Sequence, residues 1–210
     1  MSRLALVVLA FAAAVLGVAP LRAAGIATSE SSAPQPAHAV DGARLVSALR
    51  GGGYVVYFRH TATDFSKNDS RMLGYDDCAN QRLLSDKGRS DARGIGVRIR
   101  ELRLAEGEVL ASPMCRTMEH ARLSFSRAVP TPAMREVDGG DYPGLKQLLA
   151  RPVEAGRNRW MVGHGTPFRA VAGPPHLAEG EAVVLLPTGS GWRVVARVTV
   201  EGWAGLTGLP

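Results

Sequence analysis

The tightest constraint on the fold is Gly53 to Thr61, GYVVYFRHT, where a short apolar run ends abruptly in an arginine and a histidine. Val55, Val56, Tyr57 and Phe58 are β-branched or aromatic, are too few for a helix of ordinary length, and follow three glycines. They therefore read as a buried strand. That strand carries Arg59 and His60 to its carboxyl end, which in an open α/β sheet faces the crevice where ligands bind. A guanidinium that cannot lose its charge, beside an imidazole able to act as a nucleophile, suits phosphate chemistry. Arg-His pairs also occur by chance and a strand-end histidine is more often structural, so the other strand exits must decide.

After His60 the chain is polar from Thr61 to Asn80, a loop long enough to border a site, with Asp64, Lys67, Asn68, Asp69 and Asp77 as possible contacts. Ser85 then caps a helix in which Ala92, Ile95, Ile99 and Leu102 recur at helical spacing, with Arg89, Arg93, Arg100 and Arg103 on the other faces. Gly107 to Ala111 is the next strand, which completes a βαβ unit and predicts parallel pairing with a right-handed crossover. It exits into Ser112-Pro113-Met114-Cys115-Arg116, where serine reads as N-cap and proline as the first helical residue. Arg116 then lies in the first turn, at the dipole end that favours an anion, and Met114, Met118, Ala121 and Phe125 form the buried face. His120, one turn further on, reads as a packing residue. Arg159 to Val162 is a third strand, exiting into Gly163-His164-Gly165. Glu181 to Leu186 and Trp192 to Val200 read as a hairpin adding antiparallel edge strands. The expected fold is a three-layer α/β/α sandwich with a mostly parallel sheet and this C-terminal hairpin.

The first residues stand apart from that core. Arg3 precedes an apolar run from Leu4 to Val18, and small residues follow at Ala23 to Ala27. The run falls short of the ~20 residues that span a bilayer, so residues 1–27 read as a secretory signal peptide, with no stable transmembrane segment after processing. Residues 28–39, TSESSAPQPAHA, form a flexible linker holding His38, and residues 40–210 form one domain, entered through a helix capped by Asp41 with Val40, Leu45 and Leu49 on its apolar side. Arg3 and Arg22 supply two of the formal charge of +6 and no acid precedes Glu30, leaving +4 beyond residue 27. The arginines are scattered and form no basic stripe with aromatics, which argues against nucleic acid as partner. Cys78 and Cys115 are the only cysteines. In the oxidising periplasm or outside the cell they are expected to form a disulfide worth ~3 to 4 kcal/mol on the chain-entropy model.

Arg59, His60, Arg116 and His164 thus converge on one sheet edge. Two permanent cations with two imidazoles suit a dianionic phosphoryl group, and the cations disfavour protonation of the rings. At this point the chain resembles the histidine phosphatase superfamily, phosphoglycerate mutase-like, in an exported bacterial-type form. The resemblance rests on YFRHT, LSDKGRSDA, ASPMCRTMEHA, MREVDGGDYPG and VGHG, which occur in family order from Gly53 to Gly165. It implies that His60 is the phosphorylated nucleophile, that Arg59, Arg116 and His164 bind phosphoryl oxygens, and that Glu136 protonates the leaving oxygen. Thr61 stands where the family has glycine. The acidic-loop match is the loosest, so Asp138 or another carboxylate is an alternative donor, and no aspartate follows His164 as in the phytase branch.

The resemblance implies a metal-independent phosphomonoester hydrolase with no cofactor. A catalytically degenerate phospho-ligand-binding module, a metal-dependent hydrolase using His60 and His164 as ligands, and a mutase are the competing readings. Little room for a large lid separates Ser126 from Leu145, which suggests an open pocket for phosphate on a bulky group: a phosphorylated small molecule, a glycolipid or a phosphoprotein.

Overall fold

The computed structural model describes residues 42–135 and 140–206. The predicted signal peptide, the linker, Val40, Asp41, Glu136 and Asp138 lie outside the described residues.

Four of the six strands pair in parallel. These are β1 (Val55–Arg59), β2 (Val109–Ala111), β3 (Val129–Pro130) and β4 (Arg159–Gly163), followed by β5 (Ala182–Pro187) and β6 (Trp192–Val198). The order across the sheet is β3-β2-β4-β1-β5-β6, with β5 antiparallel to both neighbours. The hairpin forms as expected, but only β6 is an edge; β5 lies against β1 and covers its second side.

Period-2 alternation divides the core between the two faces of the sheet. Val56 and Phe58 of β1, with Trp160 and Val162 of β4, pack under α1 (Gly42–Gly51), α2 (Asp86–Glu101) and α3 (Cys115–Phe125). Val55, Tyr57 and Met161 point to the opposite face, under α4 (Pro143–Ala150) and α5 (Gly165–Ala172). A last short helix, α6 (Val200–Gly205), returns to the first face through Trp203, whose ring lies 5.7 Å from that of Phe58. This is the expected three-layer sandwich.

The amphipathic reading of α2 holds: Ser85 Oγ accepts the Gly88 N–H at 3.1 Å, and Ala92, Ile95 and Ile99 are buried. The expected start of α3 does not hold. The helix begins at Cys115 with Met114 as N-cap, because Ser112 is engaged elsewhere. Its carbonyl accepts from Thr117 Oγ1 at 2.6 Å and its hydroxyl meets His164 Nε2 at 2.8 Å. Nor is the helix end wholly open to an anion, since the Cys115 N–H donates to Gln81 Oε1.

Cys78 and Cys115 are disulfide-bonded, closing a span of 37 residues and pinning the polar loop after His60 to the start of α3. Buried Gln81 reinforces that junction, its Nε2 donating to the carbonyls of Gly74 and Tyr75.

Candidate active site

Parallel register builds the site. Arg59 pairs with Gly163 and Phe58 with Val162, so His60 and His164 leave adjacent strands at one level, and the His60 N–H donates to the Gly163 carbonyl. Ala111 pairs with Val162, which brings Ser112 to the same edge. The two imidazole centroids are 5.5 Å apart, and both rings are buried. They line a cavity of about 260 Å³ together with Arg59, Arg82, Arg116, Arg135, Tyr142 and His176. The four expected binding and catalytic residues on described positions are therefore together.

His60 Nδ1 lies 2.9 Å from the Thr61 carbonyl oxygen. A carbonyl can only accept, so Nδ1 carries the proton and Nε2 keeps its lone pair. Burial, then the charges of Arg116, Arg59 and Arg82, push its pKa down to about 3 despite the bond to Thr61. The arginine effect expected from the sequence is present, but desolvation is the larger cause. The Thr61 N–H donates to Nδ1 of buried His120, which fixes the turn from the other side.

His164 is held by its backbone. Tyr57 Oη donates to the His164 carbonyl and accepts the His164 N–H, both at 2.9 Å. A Cβ on Gly163 would stand 2.1 Å from that oxygen, so the first glycine of GHG is required by close approach. Burial, the His60 ring and the neighbouring arginines hold His164 well below the ordinary histidine range.

Two of the four guanidinia are backed by carboxylates. Arg116 Nη1 donates to Asp69 Oδ1 at 3.0 Å, and the same oxygen accepts the Arg82 N–H. Burial pushes the Asp69 carboxyl up, but the Arg82 N–H and the Arg116 charge outweigh it and hold it low. Arg59 Nη2 stands 3.5 Å from Glu179 Oε1. Among the described residues, no carboxylate lies within salt-bridge distance of Arg82 or Arg135, and no carboxylate lines the cavity.

Of the five polar loop residues singled out, only Asp69 reaches the site. Asp64 accepts from Ser66 N, Asn68 from Ser70, and Asp77 from Leu73 N and Asn80, all within the loop. Ser112, Arg82, Arg135, Tyr142, His176 and Glu179 are additions. Ser112, Arg135 and Tyr142 lie within the quoted segments ASPMCRTMEHA and MREVDGGDYPG without being singled out there for the site, and Arg82, His176 and Glu179 occur without a motif, so that only the fold brings them in. Glu136, the expected proton donor, lies outside the described residues. Among the described residues, no three His, Cys, Asp or Glu side chains gather to hold a metal ion, and no helix is long and apolar enough to cross a membrane.

The buried histidines set an acid limit on the fold. His120, like His60, is pushed down to about 3, by burial alone. An unfolded histidine titrates near 6.5, so between about 6.5 and 3 the unfolded chain binds protons that the folded chain refuses. Stability from these groups is complete above 6.5 and is lost as pH falls, at up to ~1.4 kcal/mol per pH unit for each histidine. Urea titrations are expected to show a midpoint that declines from pH 7 to pH 5; an unchanged midpoint would contradict the buried neutral rings.

A family model described as histidine phosphatase superfamily (branch 1) matches residues 55–173. No curated protein matches the chain significantly. Among solved structures, the protein histidine phosphatase SixA complexed with tungstate aligns with a TM-score of 0.52 at 15% identity, covering 70% of this chain and 97% of that one. The phosphoserine phosphatase of Entamoeba histolytica in complex with 3-phosphoglyceric acid gives 0.49 at 12% identity, over 69% and 95%. A mycobacterial glucosyl-3-phosphoglycerate phosphatase gives 0.47 at 16%, over 68% and 96%.

Proposed function

The chain belongs to the histidine phosphatase superfamily, branch 1, and from that membership we propose that it is a metal-independent phosphomonoester hydrolase working through a phosphohistidine on His60. One observation carries the reading: a buried imidazole, neutral and protonated on Nδ1, shares a cavity with four guanidinia and two further imidazoles, His164 and His176. A lone pair on Nε2 is a nucleophile, and four fixed cations, with no carboxylate among the described lining residues, favour a dianion.

Arg59, Arg116 and His164 hold the phosphoryl oxygens while Nε2 of His60 attacks phosphorus. The ester P–O bond breaks, and its electron pair passes to the leaving oxygen, which takes a proton from the general acid, assigned to Glu136 by the family resemblance. Water then gives a proton to the same carboxylate as it attacks the phosphohistidine, the P–N electron pair returns to Nε2, and orthophosphate leaves a neutral ring and a restored acid. No cofactor takes part. In this reading the substrate is a phosphorylated small molecule, a glycolipid or a phosphoprotein, and the signal-peptide pattern of residues 1–27 supports work in the periplasm or outside the cell.

The test is hydrolysis of p-nitrophenyl phosphate in the presence of a chelator, with trapping of the phosphoenzyme. Turnover insensitive to the chelator, with acid-labile and base-stable phosphate mapped to His60, is expected. Activity that the chelator removes and metal restores would mean a metal-dependent hydrolase. Orthophosphate binding without turnover at any pH would leave a phospho-ligand-binding module.

A further inference from the structure

When Nε2 bonds to phosphorus, its lone pair is consumed and Nδ1 keeps its proton, so the ring becomes a cation. That charge appears in a buried site already holding arginines, where like charges are costly. Among the described residues, one carboxylate lies within 4.0 Å of a ring nitrogen of either histidine: Glu179 Oε1, 4.0 Å from His60 Nδ1.

Glu179 is held in place. Its Oε1 accepts from Thr63 Oγ1 at 2.8 Å and stands 3.5 Å from Arg59 Nη2. The segment carrying it is strapped to the strand exit. The Gly180 N–H donates to the carbonyls of His60 and Arg59, the Arg59 N–H donates to the Glu181 carbonyl, and Arg59 Nη1 donates to the Leu177 carbonyl. Glu179 does not line the cavity, so it faces the back of the ring rather than the leaving group. Its place on the Nδ1 side and its absence from the lining both make it unsuited to be the proton donor.

We infer that Glu179 is a positioning residue whose fixed negative charge compensates the cation formed on His60 during phosphoryl transfer. The inference rests on the phosphohistidine reading above. It also separates two effects that a merely structural role would join. Loss of the charge raises the barrier to forming the cationic ring, yet it makes the cavity more positive and so does not weaken binding of an anion.

The experiment uses Glu179→Gln, which keeps an oxygen to accept from Thr63, and Glu179→Asp, which keeps the charge. With p-nitrophenyl phosphate, Glu179→Gln is expected to lower kcat ~10- to 100-fold. Inhibition by orthophosphate should be as strong as in the wild type or stronger, and Glu179→Asp should recover part of the lost kcat. Wild-type kcat in Glu179→Gln, parallel loss of kcat and orthophosphate affinity, or equal kcat in the two variants would each overturn the inference. Absence of turnover in the wild-type protein would instead overturn the phosphatase reading itself, so the two failures are distinguishable.

Discussion

His60→Ala is expected to reduce p-nitrophenyl phosphate turnover at least ~10⁴-fold and to abolish trapped phosphoenzyme, because it removes the nucleophilic Nε2. The other imidazole of the cavity floor, His164, is committed by its Nε2 contact with Ser112 at 2.8 Å and by both backbone bonds to Tyr57. Anion binding should survive the substitution, since Arg59, Arg82, Arg116 and Arg135 all line the cavity independently of the ring. Calorimetric titration with orthophosphate therefore separates loss of the nucleophile from loss of the pocket. The same variant removes one buried histidine whose pKa is pushed down to about 3, so its stability should fall less steeply between pH 6.5 and pH 4 than that of the wild type. Residual activity above about one per cent of wild type, against the ~10⁴-fold loss expected for a missing nucleophile, would mean that another residue attacks phosphorus.

The legible features of this chain are those written in short-range pattern. Val55 to Phe58 reads as a strand because four β-branched or aromatic residues make a run too short for a helix, and all four are buried; α2 is readable from its capping serine and its helical spacing of apolar residues. The helices α5 and α6 lack that apolar spacing, although Thr199 Oγ1 caps α6 by accepting the Gly202 N–H. The first opens on glycine with Pro167 in its first turn, and the second has six residues, two of them glycine. Two-residue β3 contains Pro130 and pairs only because β2 lies beside it. At the site, Arg59, His60, Arg116 and His164 could be named because each sits immediately at a strand exit or helix start. Which residues support them is not legible, although Asp69 is among the loop residues singled out. Tyr57 meets His164 across 107 residues, Asp69 meets Arg116 across 47, and Thr63 meets Glu179 across 116. Such pairs follow from sheet order and loop path, which local periodicity does not encode. The displaced start of α3 has the same origin, since the local pattern makes Ser112 a cap while its hydroxyl faces His164 from a neighbouring strand.

That dependence on long-range partners ranks the variants of Arg116. The guanidinium is buried, spans Asp69 Oδ1 at 3.0 Å and the Arg82 carbonyl at 3.3 Å through Nη1, and has a buried Nε without a hydrogen-bond partner among the described residues. Arg116→Ala removes a charged donor from a low-dielectric phosphoryl site, and kcat/KM is expected to fall ~10³-fold, or about 4 kcal/mol. The fold should survive, because Asp69 keeps the Arg82 N–H and its side chain is 28% exposed, so water can replace the lost partner. Arg116→Lys keeps the charge but cannot bridge both oxygens and also fork toward a phosphoryl group, so a loss of ~10²-fold is expected. Asp69→Asn leaves an acceptor for the Arg82 N–H and removes only the backing charge, which should cost less than about tenfold because an unpaired Arg116 remains available to the anion. Steady-state kinetics on the three variants check the ordering Ala, Lys, Asn from most to least impaired. A lysine variant with wild-type kcat/KM would mean that Arg116 supplies only charge, and an asparagine variant as impaired as alanine would mean that Asp69, rather than the strand exit, sets where the guanidinium points.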